Sequence, residues 1–194
     1  MKKLCIIAAT TAALLLPTTT ASAAISTKAY QPSTSYSQYF YKEYDKKGNQ
    51  LHIWRDKLVK TGPMKGAWQD LTQGDIYTDY SYDKKYGLTA AGGSKHNFEY
   101  GSFKFWDLLP PTVRKNQTGK LQGSDFSENP YKILSTKATV KTQNGTYKNA
   151  IKIWEKRYGE NTISYYVKNR GKVKTQTLYQ GEYKTTYVLY KIKK

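Results

Sequence analysis

The 194-residue sequence is short of the residues on which most catalytic chemistry depends: it has one cysteine, two histidines and only 14 acidic residues against 32 Lys and Arg. The cysteine, Cys5, lies inside an N-terminal apolar run, LCIIAATTAALLLP. A chain processed after that run has no thiol, which excludes disulfides, a cysteine nucleophile and cysteine-ligated metal. His52 and His96 belong to no HExxH helix, and no GxSxG turn supplies a serine nucleophile. A hydrolase would have to pair His52 or His96 with Glu99 or Asp56. The plainer reading of each histidine is an exposed strand or loop position. Asp75, Asp79 and Asp83 share a parity, but along a straight strand they are too widely spaced for one ion. The glycine and terminal glutamate of a calcium loop are also missing. No cofactor, metal or catalytic residue is therefore expected.

Long hydrophobic runs are also lacking after the first. Met1-Lys2-Lys3, the apolar run and Ala21-Ser22-Ala23 form a secretory signal peptide over 1–23, with cleavage expected before Ala24. Cys5 is too early for a lipid-attachment cysteine, so the expected product is secreted, extracellular or loosely wall-associated. Removal of Lys2 and Lys3 leaves 30 Lys and Arg against 14 Asp and Glu, a net +16. Such an excess concentrates a protein near polyanions through attraction that salt screens.

Helical periodicity is scarce, whereas tyrosine is abundant, with 19 residues, and apolar residues recur at period two between frequent turn signals. The pattern predicts a mainly β fold, a curved antiparallel sheet or half-open barrel, in one domain over 36–194 behind a flexible lead, 24–35. Tyr36 to Tyr44 and Gln50 to Val59 flank the turn at 45–49 as a first hairpin. Residues 61–74 read as loop anchored by Trp68, Asp75 to Tyr82 as strand, and Gly87 to Ser94 as a second loop. NFEYGSFKFW, from Asn97, reads as a strand bent or bulged at Gly101. Residues 107–130, rich in proline and glycine, read as a crossing between two parts of the sheet, leaving room for two lobes. From Tyr131 onward, five strands joined by short turns predict a meander.

Numerical alternation in this last part places Ile151, Ile153, Ile163, Tyr165, Val167 and Val173 on a core face. Lys148, Lys152, Trp154, Lys156, Tyr166, Lys168, Lys172 and Lys174 fall on the other, a candidate polyanion-binding patch. The solvated outer face of any antiparallel sheet has much the same composition, since lysines also guard strands against edge pairing.

The run from Val140 to Thr175 resembles a C-terminal pattern of secreted Gram-positive, Bacillus-type exported proteins and lipoproteins. It is carried by Gly145-Thr146-Tyr147-Lys148-Asn149, the pair Tyr165-Tyr166, and Gly171-Lys172-Val173-Lys174. Gln143-Asn144 and Asn169 stand where that pattern has Pro-Ala and Gly. The resemblance implies an exported curved antiparallel sheet and little chemistry.

Three functions fit these observations. In the first, the basic face of a non-catalytic exported protein binds an anionic cell-wall polymer or an anionic lipid surface. The second is a small-ligand carrier with an aromatic-lined half-barrel, and the third a secreted hydrolase or cationic toxin. Nothing in the motifs favours nucleic acid. Aromatic side chains inside a concave face would favour the carrier, and outside it the surface binder.

Overall fold

Alternating apolar residues joined by short turns, of which Tyr158-Gly159 and Gln180-Gly181 place two left-handed residues in succession, produce antiparallel strands. The computed structural model describes residues 23–194, so the expected signal peptide, apart from its last residue, lies outside the described residues. The strands are β1 (Ile25–Ser26), β2 (Gln38–Tyr44), β3 (Gln50–Leu58), β4 (Trp68–Asp70), β5 (Ile76–Asp83), β6 (Gly87–Ser94), β7 (Lys104–Leu109), β8 (Thr112–Val113), β9 (Thr118–Gln122), β10 (Glu128–Thr142), β11 (Gly145–Arg157), β12 (Glu160–Val167), β13 (Gly171–Tyr179) and β14 (Glu182–Lys193). A 3-10 turn (Lys28–Tyr30) and one short helix, α1 (Lys95–Glu99), are the helical elements. No helix among the described residues is long and apolar enough to cross a membrane.

Twelve strands form one sheet in the order β7-β6-β5-β4-β3-β2-β14-β13-β12-β11-β10-β9, every pair antiparallel. β10 to β14 are the expected meander, and β2 and β3 the first hairpin. The edge strands β7 and β9 touch without a ladder. A side chain joins them instead: the Asp107 carboxylate of β7 accepts from the Gln122 N–H of β9 at 2.8 Å, and the Arg157 guanidinium, at the end of β11, donates to the Asp107 carbonyl at 3.0 Å. The sheet is thus curled almost into a barrel, its two edges held by side-chain hydrogen bonds.

The core lies inside the curve as two adjoining clusters. Leu88, Leu109, Ile133, Ile151, Ile153 and Tyr166 centre the first; Tyr39, Tyr41, Trp68, Val173 and Leu189 centre the second. Tyr80 packs against both, so the chain has no gap between lobes there.

Three local expectations are corrected. The Gly87–Ser94 segment is β6, not a loop, because its small residues face bulky neighbours: a Cβ at Gly92 would lie 2.6 Å from the Trp106 ring. Glycine there makes room for a ring, not for a turn. Asn97 to Trp106 is not one strand. Ser94 caps α1 in a reciprocal box with Asn97, and the chain leaves through Gly101 at φ 68° before β7 begins. The segment 24–35, expected as a flexible lead, is a bonded strap. Ile25 pairs with Val113, the Thr27 hydroxyl donates to the Pro110 carbonyl at 2.8 Å, and the Asn169 N–H donates to the Ala29 carbonyl at 2.7 Å. Pro32 bridges to Arg170, and Tyr30, 1% exposed, enters the core. Its polar composition reflects bonding to loops rather than freedom.

Candidate ligand cavity and the outer basic face

The register across the β11–β12 turn decides which residues share a face. Tyr158 and Gly159, at φ 51° and 79°, make a two-residue turn that fixes Arg157 opposite Glu160. Partners across such a turn have opposite numerical parity. Odd residues of β11 therefore share a face with even residues of β12: Ile151 pairs with Tyr166 and Ile153 with Ser164, whereas Lys152 pairs with Tyr165 and Trp154 with Ile163. A register shift between β12 and β13 then places Lys174 opposite Tyr165 but Lys172 opposite Tyr166.

The eight residues of the expected patch are accordingly divided. Lys152, Trp154, Lys156 and Lys174 share the outer face with Tyr165 and Ile163, and the Lys152 ammonium sits 5.6 Å from the centre of the Tyr165 ring. Lys148 and Lys168 are exposed near the strand ends. Tyr166 and Lys172 are on the inner face, with Tyr166 only 2% exposed. Of the residues expected in the core, Ile151, Ile153, Val167 and Val173 are buried; Ile163 and Tyr165 belong to the outer face, Ile163 nonetheless covered.

Inside the curve is a cavity of about 220 Å³. One wall comes from β3, β4 and β5, where Trp54, Asp56, Asp70, Ile76, Thr78 and Tyr80 point inward on alternate positions. The lining continues with Tyr187 of β14, Lys172 of β13, Tyr166 of β12 and Trp106 of β7. Tyr30 and Pro32 of the N-terminal strap also line it, so the strap spans the cavity.

Packing fixes several of these groups. The Tyr187 ring stacks on Tyr41 with centroids 4.7 Å apart, and the Lys172 ammonium lies 5.3 Å from the Tyr187 ring centre. The Trp54 indole N–H donates to the Glu43 carboxylate at 2.6 Å. Glu155, 4% exposed, pairs with the Arg157 guanidinium at 3.0 Å behind Lys172.

Two poles of charge result. Asp56 and Asp70 are directly opposed on neighbouring strands. Burial, and then the Asp70 charge, push the Asp56 carboxyl up to about 7. At the other pole, burial and then Arg157 lower Lys172, while Glu155 acts against them. Burial raises Glu155, with Arg157 and Lys172 opposing. Burial also raises the phenols of Tyr80, Tyr166 and Tyr187, which stay neutral through the physiological range. Among the described residues, the Asp56 carboxylate, the Lys172 ammonium and the hydroxyls of Tyr80, Tyr166 and Tyr187 have no protein hydrogen-bond partner; Asp56, Tyr80, Lys172 and Tyr187 are half-buried and face the cavity.

The histidines take no part in this. His52 is exposed and packs on Trp54, and His96, exposed in α1, packs on Tyr100. Neither hydrogen-bonds a carboxylate among the described residues, and no cluster of three potential metal ligands occurs among them. Asp75, Asp79 and Asp83 are exposed. The cavity residues Asp70, Tyr80, Trp106 and Tyr187 were not legible as a site in the sequence. One signal was present: Trp54 and Asp56 alternate in LHIWRDKL, which puts an acid on the aromatic side of a strand.

The class defined is a twelve-stranded antiparallel sheet nearly closed into a barrel around a polar and aromatic cavity. No protein-family model matches the chain, and no curated protein matches it. Among solved structures, the fold is similar to a protein of Bacteroides fragilis NCTC 9343 provisionally called exported, with a YmcC-like fold: 12% identity, 86% of this chain and 100% of that chain covered, TM-score 0.45. It is also similar to a protein of Parabacteroides distasonis ATCC 8503 provisionally called a lipoprotein, at 13% identity, 86% and 99% coverage and TM-score 0.40.

Proposed function

We propose that this chain is a non-catalytic exported binding protein whose barrel encloses a small ligand. The observation that carries the reading is the cavity itself: Trp54, Trp106, Tyr80 and Tyr187 turn inward around Asp56 and Lys172, which have no protein partner. Half-burying a charge without a protein partner is unfavourable, and a ligand in the cavity would offset that cost. Inward-facing aromatic groups with a few convergent polar ones are the usual make-up of a small-molecule site. The test is native mass spectrometry of the secreted protein beside an Ala90→Phe variant, since Ala90 lines the cavity and is 1% exposed. The wild type should carry a small bound mass that the filled variant lacks. Identical apo masses, with no thermal shift of either protein in a metabolite screen, would refute enclosure.

A second, compatible reading is supported by the outer face. Lys152, Trp154, Lys156 and Lys174 lie together there, with Lys148 and Lys168 exposed nearby. This surface is proposed to bind an anionic cell-wall polymer or an anionic lipid surface. Changing Lys148, Lys152, Lys156 and Lys168 together to Gln should weaken retention on purified wall or anionic vesicles and flatten its dependence on log salt concentration. Retention equal to wild type at low salt would remove the face from the function.

A further inference from the structure

The cavity has a polarity that says what it would hold. Its acidic pole is the pair Asp56 and Asp70, opposed across β3 and β4; its basic pole is Lys172 on β13. Both poles line the same space, yet they do not neutralise each other. No ion pair joins Lys172 to any carboxylate within 4.0 Å among the described residues. The charge acting on Asp56 is that of Asp70, and the charges acting on Lys172 are those of Arg157 and Glu155. The two ends share one cavity without an ion pair between them, and the rings of Trp54, Tyr80, Trp106 and Tyr187 line it with them.

Each pole has about one charge to satisfy. Two opposed carboxylates do not both ionise readily at one site, so the acidic pole amounts to about one negative charge. Behind the basic pole Glu155 and Arg157 form their own pair at 3.0 Å, leaving Lys172 as the uncompensated cation.

Resting on the carrier reading, we infer that the cavity selects a small zwitterion of the amino-acid class, its ammonium against Asp56 and Asp70 and its carboxylate against Lys172. A simple cation or anion would satisfy one pole and leave the other unpaired in the cavity, and a neutral sugar would pair neither charge. The aromatic wall also suits an ammonium, which ring faces attract. The volume agrees: about 220 Å³ lies below the roughly 300–1,000 Å³ of pockets for drug-sized ligands, which suits a smaller organic molecule rather than an oligomer.

The test is calorimetric titration of the mature protein with each of the twenty free L-amino acids and with a set of neutral monosaccharides. At least one amino acid should bind, and its N-acetyl and its amide derivatives should each bind more than tenfold more weakly. Asp56→Asn and Asp70→Asn together should erase the penalty for N-acetylation, and Lys172→Met the penalty for amidation; Lys172→Met keeps the volume and removes the charge, and a wild-type circular dichroism spectrum of each variant shows that it folds. Blocked and free forms binding equally would overturn the inference. Monosaccharide binding without amino-acid binding would also overturn it while leaving the carrier reading standing. If neither set binds and the filled and unfilled proteins have identical native masses, both fall.

Discussion

Replacing Asp56 by Asn should change how stability depends on pH, in a direction fixed by burial. An ordinary aspartate ionises near 3.8 in the unfolded chain, but in the fold Asp56 ionises at about 7, because burial and the opposed Asp70 disfavour its charge. The folded state therefore holds a proton that the unfolded state has lost between those two values. Stability from this group is complete below about pH 3.8, falls as pH rises toward 7, and is level beyond it. Since each pH step of one across this window is worth about 1.36 kcal/mol, the loss approaches ~4 kcal/mol. Around Asp56 are Tyr39 and Tyr41 from β2, Asp70 from β4, Tyr80 from β5 and Tyr187 from β14, with Lys172 lining the same cavity. The phenols are raised and stay neutral throughout. Urea denaturation of wild type and Asp56→Asn at half-unit steps from pH 4 to pH 8 isolates this contribution, because neighbours common to both largely cancel in the difference. The wild type should lose ground steadily to the variant up to about pH 7 and then hold a constant offset. A difference flat to within ~0.5 kcal/mol over that range, against the ~4 kcal/mol expected, would show that Asp56 is solvated and that the cavity is not the enclosed space described.

Replacing Ile153, fully buried in the first cluster, by Ala should cost about 2 to 5 kcal/mol, read as a lowered urea midpoint at unchanged slope. Gly92→Ala places a Cβ against the Trp106 ring and should cost about 1 to 3 kcal/mol, with a shift in tryptophan emission as the indole moves. Arg157→Met leaves Glu155 without its nearest cation and should cost about 3 to 5 kcal/mol, tempered by Lys172; a restored urea midpoint in the Glu155→Gln/Arg157→Met double variant would confirm that the unpaired charge is the cause. The intact mass of the secreted product should begin at Ala24 and carry no acyl chain; retention of the apolar run would overturn the processing expected from the sequence.

Much of this protein is written locally, and such parts were readable. Period-two alternation and the paired turn residues give the antiparallel strands, the first hairpin and the five-strand meander because each depends on neighbours a few positions away. The segment Gly87–Ser94 was not readable, since glycine looks the same whether it makes a turn or makes room for Trp106. The strap was not readable either: Thr27 and Tyr30 find their partners more than 80 residues along the chain or in the core formed by it. Most consequential was parity. Which of Tyr165 and Tyr166 points inward depends on a two-residue turn, which of Lys172 and Lys174 joins it depends on one register shift, and a slip of one residue exchanges the faces. Sequence alone determined that there would be a basic, aromatic sheet with two faces. Only closure of the sheet decided which face was the inside, and so brought Asp56 and Lys172, from distant strands, to opposite poles of one cavity.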